Sequence, residues 1–532
     1  MHKDYLKIGK ATDLKGKEKL IFRIFEILPG ALAWTTLIGV VLCSWLAPVF
    51  IAFFIIAFDI YWFLKTVFLS LHLRASFSQT QKHLKINWLE KLENLTPRQQ
   101  CLKHNFGGRA ALSLERRGGI NNWQEIYHLV ILPFYKEPYE VIEETVESLL
   151  ATNYPKEKFI IVLAREERAG EDDKIKVEKI EEKYRGKFFK FLETCHPKNI
   201  EGELAGKGSN ETWAGRRAKE LIDGLHIPYE NIVASVFDID ARVYPDYFGC
   251  LTYHFLTTEK KERASFQPVP VFHNNIWDAP AFSRVVASSC TFWQMMQQER
   301  PERLATFSSH SMSFKAIVEM DFWNVKNVSE DSRIFWKSLM FYDGDYRVVP
   351  LYYPISMDAN LAENFWQTAK NVYKQQRRWG WGVENIPYFV YGAIKNKKMP
   401  FKTKARFIFN QLEGFWSWAT NALLIFMLGW LPLFLGGEKF NLTLLSYNLP
   451  RLTRLIMTFA MVGLISSAFY STIILPPRPA GHPWRKYFYM VLQWILMPIT
   501  IIIFGSIPGL EAQTRLMLGK YMGFWVTPKH RK

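Results

Sequence analysis

Two strongly apolar runs, 30–47 and 49–71, stand near the start of the chain, broken only by Pro48. Each is about the length that crosses a bilayer, roughly 20 residues. Together they predict a transmembrane hairpin with both ends on one side. Three more apolar segments follow near 410–436, 453–475 and 487–508, separated by Gly436-Gly-Glu-Lys439 and Pro476-Pro-Arg-Pro479. Between the two groups, 128–360 changes character. Short β-branched runs alternate there with helix-forming stretches: strands at 128–134, 159–163, a short one at 188–193 and one at 232–237; helices at 137–151, 171–187 and 210–223. Strand–helix alternation predicts an α/β domain with a mainly parallel, Rossmann-like sheet and right-handed crossovers. A further amphipathic helix is predicted within 361–395.

Charge refines the membrane reading. The 532 residues carry a net charge of +17. Lys and Arg flank the apolar segments, at 3–23, 395–406 and 529–532, which favours cytoplasmic membrane flanks. No zinc-finger spacing or helix-turn-helix pattern supports a nucleic-acid partner. In 1–28, Leu20, Ile21, Ile24, Phe25 and Leu28 fall at helical spacing among Lys3, Lys7, Lys10, Lys15, Lys17, Lys19 and Arg23. That reads as a basic amphipathic segment on the inner membrane face, or a plain solvated helix. The expected order is this segment (1–28), the hairpin (29–72), an interfacial helix and linker (73–127), the α/β domain (128–360), interface helices (361–409), C-terminal membrane segments (410–510) and a basic tail (511–532). Three simple spans would leave that tail outside, against its charge. Pro498, Gly505 and Pro508 interrupt the last segment, so a re-entrant or shallow hairpin and a cytoplasmic tail are expected. Asp59, inside the second run, either lines a pathway or packs within the bundle. Cys43, Cys101, Cys195, Cys250 and Cys290 are scattered without Cys-x-x-Cys, which predicts neither a disulfide framework nor a zinc site.

Several polar groups carry candidate chemistry. The strand at 232–237 ends in Asp238-Ile-Asp240, whose carboxylates share one side of an extended chain. The pair is either a solvated turn or a seat for a hard divalent cation. Lys207, between Gly206 and Gly208, either reaches a phosphate or lies exposed. Glu330-Asp331 opens a helical stretch, where Ser329 and first-turn acids also suit an N-terminus. Gln375, Arg378 and Trp379 lie at i, i+3 and i+4, on one helix face, and suit either a sugar phosphate or a membrane-interface belt. Trp366 and Trp381 are weaker stacking candidates. His310 is either a core histidine or part of a pocket.

In this order, Leu132-Pro-Phe-Tyr-Lys-Glu-Pro138, Gly206-Lys-Gly208 with Asn210, Asp238-Ile-Asp240, Ser329-Glu-Asp331 and Gln375-x-x-Arg378-Trp379 resemble membrane-embedded family 2 glycosyltransferases. That group is related to cellulose, chitin and hyaluronan synthases, and the resemblance covers roughly 120–400. It implies a cytoplasmic GT-A-type domain inserted between transmembrane helices of the plasma or inner membrane. It further implies inverting transfer from a nucleotide-diphosphate sugar, a UDP-sugar by preference, onto a growing β-linked glycan. The alternatives are single transfer to a membrane lipid or, in another class, a non-catalytic assembly subunit or transporter. By the same resemblance Asp331 is the general base, Asp238 and Lys207 contact the donor, and Asp240 holds Mg²⁺ or Mn²⁺. Gln375, Arg378, Trp379 and Glu330 then serve the acceptor. The expected partners are the donor, a glycan or glycolipid acceptor, the bilayer and, if the product is exported, accessory export proteins. The second strand departs from the family pattern: Ala164-Arg-Glu-Glu167 stands where an Asp contacts the base, so Glu166 or Glu167 takes that role. No cyclic-dinucleotide-binding domain is expected after the membrane region.

Overall fold

The computed structural model describes residues 3–95, 122–528, 530 and 531; the sequence readings for 96–121, Lys529 and Lys532 lie outside them. Four parallel strands form one half of the sheet: β1 (Tyr127–Pro133), β2 (Phe159–Glu166), β3 (Lys190–His196) and β4 (Ile232–Val236), in the order β3-β2-β1-β4. Their near-continuous apolar runs follow from burial on both faces. In β1, Val130 and Leu132 join Val141 and Val146 of helix Tyr139–Leu150 on one side. Leu129 and Ile131 join Ala214 and Ala218 of helix Lys207–Gly224 on the other. The two-residue period of a strand thus feeds two separate cores.

The sheet continues past β4 through strands that the sequence pattern does not announce. These are β5 (Arg242–Val243), β6 (Ala264–Phe272), β7 (Ser311–Ser313) and β8 (Arg347–Met357), which complete the order β4-β7-β6-β8-β5. Four of the seven neighbouring pairs among the described residues are parallel; β7 runs antiparallel to β4 and β6, and β5 to β8. Pro268 and Pro270 in β6, and Pro350 and Pro354 in β8, break the alternation by which strands are recognised. The β6–β8 register also shifts between Gln267 and Val269.

In the membrane region the predicted hairpin consists of two longer helices, Gly16–Leu46 and Pro48–His83. The basic run from Gly16 to Leu28 therefore forms the first turns of the continuous helix Gly16–Leu46 and is not a separate helix. Ahead of it, two short turns dock on the domain: Asn324 Nδ2 and Tyr388 Oη both donate to the Leu6 carbonyl. Among the described residues, four helices are long and apolar enough to cross a membrane, and a fifth candidate, Phe401–Leu435, is bent by 51°.

Packing orders these segments. Phe440, just after the bent pair, clusters with Leu37, Val40 and Ile51 around the Leu46–Pro48 turn, at the far end of the hairpin. At the other end of helix Leu444–Ile473, Tyr470 meets Phe77, close to the end of Pro48–His83 that leads into the domain. Phe401–Leu435 therefore runs away from the domain and Leu444–Ile473 runs back. The last segment, Arg485–Met517, is one of these four candidate spans and touches the domain and its flanking helix near its two ends. Near its start Trp494 packs with Val271 and Phe292 of the domain, and near its end Glu511 pairs with Arg377 at 2.7 Å. Its interior holds 3₁₀ and π turns at Gln493–Leu496 and Ile502–Ser506, where Pro498 and Gly505 interrupt regular bonding. The tail accordingly ends beside the domain. Asp59 is buried and accepts from Thr453 Oγ1 at 3.0 Å, a packing contact between helices.

Candidate active site

The site forms beyond the carboxyl ends of β1 and β4, where open α/β sheets bind ligands. At its centre is Lys207, the first residue of helix Lys207–Gly224 and 10% exposed. Among the described residues, four carboxylates lie within ion-pair reach of its Nζ. Asp238 is at 2.8 Å, Asp331 at 2.9 Å, and Glu211 and Glu330 at 3.4 Å. Three of them were sequence candidates. Glu211 was missed, although it stands one helical turn after Lys207 on the same face.

Each element delivers its side chain for a local reason. Asp238 stands two residues after β4; its Oδ2 accepts from Ser308 Oγ at 2.5 Å, and its N–H donates to Ser309 Oγ at 3.4 Å. Asn210 ties the Lys207 helix to the end of β2 by donating to the Ala164 carbonyl at 2.8 Å. Gly208 allows that helix to approach the Asn324 backbone and the Glu330 side chain closely. A Cβ at this position would stand 3.0 Å from both the Asn324 carbonyl oxygen and Glu330 Cβ. Gly208→Ala should therefore destabilise the protein by about 1–3 kcal/mol through overpacking. The melting temperature of the purified protein checks this, and an unchanged midpoint would show that the two segments can part freely.

Helix Glu330–Phe341 begins without a Ser329 side-chain cap, contrary to the capping reading. Instead Glu384, in the turn after the Gln375–Trp379 helix, accepts from the N–H groups of Val328 and Ser329, both at 2.9 Å, and from Ser329 Oγ at 2.6 Å. One buried carboxylate so fixes the Glu330-Asp331 turn to the helix carrying the Gln-x-x-Arg-Trp motif. Sequence reading passed over Glu384 because it belongs to no motif.

The electrostatics are those of acids crowded around one cation. Burial, reinforced by Asp331, pushes the Glu330 carboxyl up to about 8, while Lys207 opposes the shift. Burial raises Glu211 well above the carboxylate range, again against the pull of Lys207. His310 is buried and its imidazole is pushed down by desolvation; Nδ1 lies 3.0 Å from the Phe307 carbonyl, as a core histidine would.

Of the predicted acceptor residues on the neighbouring helix, Arg378 bears on Glu330 of this cluster through its charge. Trp379 packs edge-on against Phe307, one residue before Ser308, with ring centroids 6.0 Å apart. Gln375 Oε1 accepts from Asn360 Nδ2 at 3.4 Å. Arg378 lies over the Phe524 ring, 5.0 Å from its centroid. Phe524 belongs to the tail and covers Gly206, where a Cβ would come within 2.8 Å of the ring. Farther along, Arg531 makes a bidentate pair with Asp358, at 2.9 and 3.0 Å. Trp381 is buried and donates to Glu384, whereas Trp366 is exposed.

Asp240 stands apart from the Lys207 cluster. It is fully buried, and its Oδ2 accepts from the Asp358 N–H at 2.9 Å. Glu166 and Glu167 lie outside the cluster too. Glu166 pairs with Arg168 at 2.5 Å, and Glu167 accepts from the Lys198 N–H at 2.9 Å. Glu166 is the last residue of β2 and Glu167 follows it. For a metal, the donor chemistry fits a hard divalent cation: ligand oxygens of Glu211, Glu330 and Asp331 lie within 4.8 Å of one another, and Asp238 shares their lysine.

No protein-family model matches the chain, and no curated protein does. Solved structures do. The mannosyltransferase PcManGT from Pyrobaculum calidifontis, in complex with GDP-Man and Mn²⁺, is 13% identical; the match covers 88% of this chain and 100% of that one, with a TM-score of 0.41. TarS 1–349 from S. aureus, in complex with UDP-GlcNAc, is 12% identical over 65% of this chain and 90% of that one, with a TM-score of 0.35. Superpositions this loose transfer no site from one chain to another.

Proposed function

We propose that the chain is an inverting, metal-dependent family 2 glycosyltransferase. It would move a sugar from a nucleotide-diphosphate donor, a UDP-sugar by preference, to a growing β-linked glycan on the domain's side of the membrane. The observation that carries this reading is the convergence of Lys207, Asp238, Glu330 and Asp331 beyond β4, next to the helix bearing Gln375, Arg378 and Trp379. Sugar transfer needs a base for the acceptor hydroxyl and cations for the departing diphosphate.

Asp331, about a fifth exposed, is the base. As the acceptor oxygen attacks the anomeric carbon, its proton passes to the Asp331 carboxylate and the bond to the diphosphate oxygen breaks. A single displacement inverts the anomeric centre. The Lys207 ammonium and Arg378 guanidinium meet the growing charge of the leaving group. Asp238 orients the donor, held by Ser308, and Glu166 or Glu167 serves the base of the nucleotide. Trp379 and Gln375 position the acceptor, with Glu330 beside them. Glu211 and Glu330, with Asp238 beside them, would hold Mg²⁺ or Mn²⁺ in place of Asp240, and the ion would add charge neutralisation at the diphosphate. Excess chelator is accordingly expected to reduce transfer to background and added Mn²⁺ or Mg²⁺ to restore it; full activity in chelator would remove the metal from the reaction.

A donor screen on the purified protein, with mass spectrometry of the product, tests the whole reading. A ladder of β-linked sugars supports chain extension. A single glycolipid would restrict the reading to one transfer, and no turnover with any donor would overturn it.

A further inference from the structure

About the seam between the membrane hairpin and the domain lies a second cluster, unrelated to the carboxylates around Lys207. His83 ends the long helix Pro48–His83. Cys250 and His254, at i and i+4, occupy one face of helix Tyr247–Thr257 in the domain. One ligand atom from each of the three lies within 4.8 Å of the others. The rings of His83 and His254 stack at 5.9 Å, and Trp88, 1% exposed, walls the cluster off. The Leu351 carbonyl of β8 lies 2.8 Å from His83 Nδ1 and 3.9 Å from Cys250 Sγ, which fixes the His83 ring against the thiol.

We infer that His83, Cys250 and His254 form a zinc site that staples the membrane hairpin to the catalytic domain. One thiolate and two imidazoles are a borderline-soft donor set, suited to Zn²⁺ rather than to the hard cation that the carboxylates accommodate. These three ligands, found among the described residues, leave a fourth tetrahedral position. On binding, the thiol proton leaves to solvent as the Zn–S bond forms. The sequence showed no zinc spacing because one ligand lies far upstream of the other two, brought to them by the hairpin's return to the domain.

Metal analysis of the full-length protein, purified in detergent without added zinc or strong chelator, tests the site. Stoichiometric zinc is expected, falling to background in Cys250→Ser and in His254→Gln while remaining in Asp331→Asn. In Co²⁺-exchanged protein a thiolate-to-cobalt charge-transfer band should appear in the near ultraviolet and vanish in Cys250→Ser. This band separates the site from any cobalt on carboxylates, which give none. Background zinc in the folded wild-type protein combined with no charge-transfer band would overturn the inference. Equal zinc in wild type, Cys250→Ser and His254→Gln would do the same. The wild-type measurements need no variant to fold.

Discussion

Asp331→Asn is expected to lower sugar transfer by roughly 100- to 10,000-fold, the range that a positioned general base contributes. The substitution keeps size and shape and removes only the proton acceptor. Lys207 would still face Asp238 at 2.8 Å and Glu211 and Glu330 at 3.4 Å, so the ammonium is not orphaned. One negative charge fewer among four carboxylates also relieves repulsion, and Asp331 is among the groups that hold Glu330 and Glu211 high. The melting temperature should therefore stay level or rise. Loss of turnover with unchanged or greater stability, and with donor binding retained by calorimetry, is the signature of a base. Were the protein a silent assembly subunit or a transporter, the variant would behave as wild type in its native complex; equal transfer by both proteins would remove Asp331 from the chemistry.

Legibility in the sequence followed physical simplicity. The parallel half of the sheet could be read because its strands are continuous apolar runs and its helices carry ordinary periodicity. β6 and β8 were hidden by prolines inside the strands, and β7 by its three residues, Ser311–Ser313. The helical segment expected over 361–395 divides at Trp381–Glu384, because Glu384 turns back to hold Val328 and Ser329. Within the site, Asp238, Lys207, Glu330 and Asp331 could be named because each sits in a short motif. Their meeting at one ammonium depends on crossovers that join positions more than a hundred residues apart. Asp240 shows the limit of motif reading. Its neighbour two residues earlier faces Lys207, whereas its own carboxylate turns into the protein towards the Asp358 backbone. The turn after β4 sends the two carboxylates in different directions, which the alternation of an extended strand does not anticipate. The tail's return over Gly206 was equally invisible, since nothing in a basic terminus specifies where it docks.

Lys207→Met should be the most damaging single change to both stability and transfer. Methionine keeps the length of the side chain and removes the charge on which Asp238, Glu211, Glu330 and Asp331 converge. Breaking a buried ion cluster by deleting one partner costs about 3–5 kcal/mol, because the remaining charges stay buried without compensation. The loss should depend on pH in a defined direction. Glu330 is held at about 8 in the folded protein, above its ordinary 4.5, so the folded state binds more protons than the unfolded one between those values. Stability from this group is complete below the unfolded value and is lost as pH rises through the folded value. Lys207 is the main influence pulling both Glu330 and Glu211 down. Without it both climb further, and the protein tolerates them only as neutral acids. The melting-temperature gap between wild type and Lys207→Met is therefore expected to be widest near pH 8 and to narrow towards pH 5. A gap independent of pH would mean that the variant is damaged by packing alone and that the four carboxylates do not share this lysine in solution. Transfer should be at background throughout, since the same ammonium that neutralises the acids at rest is the one offered to the diphosphate.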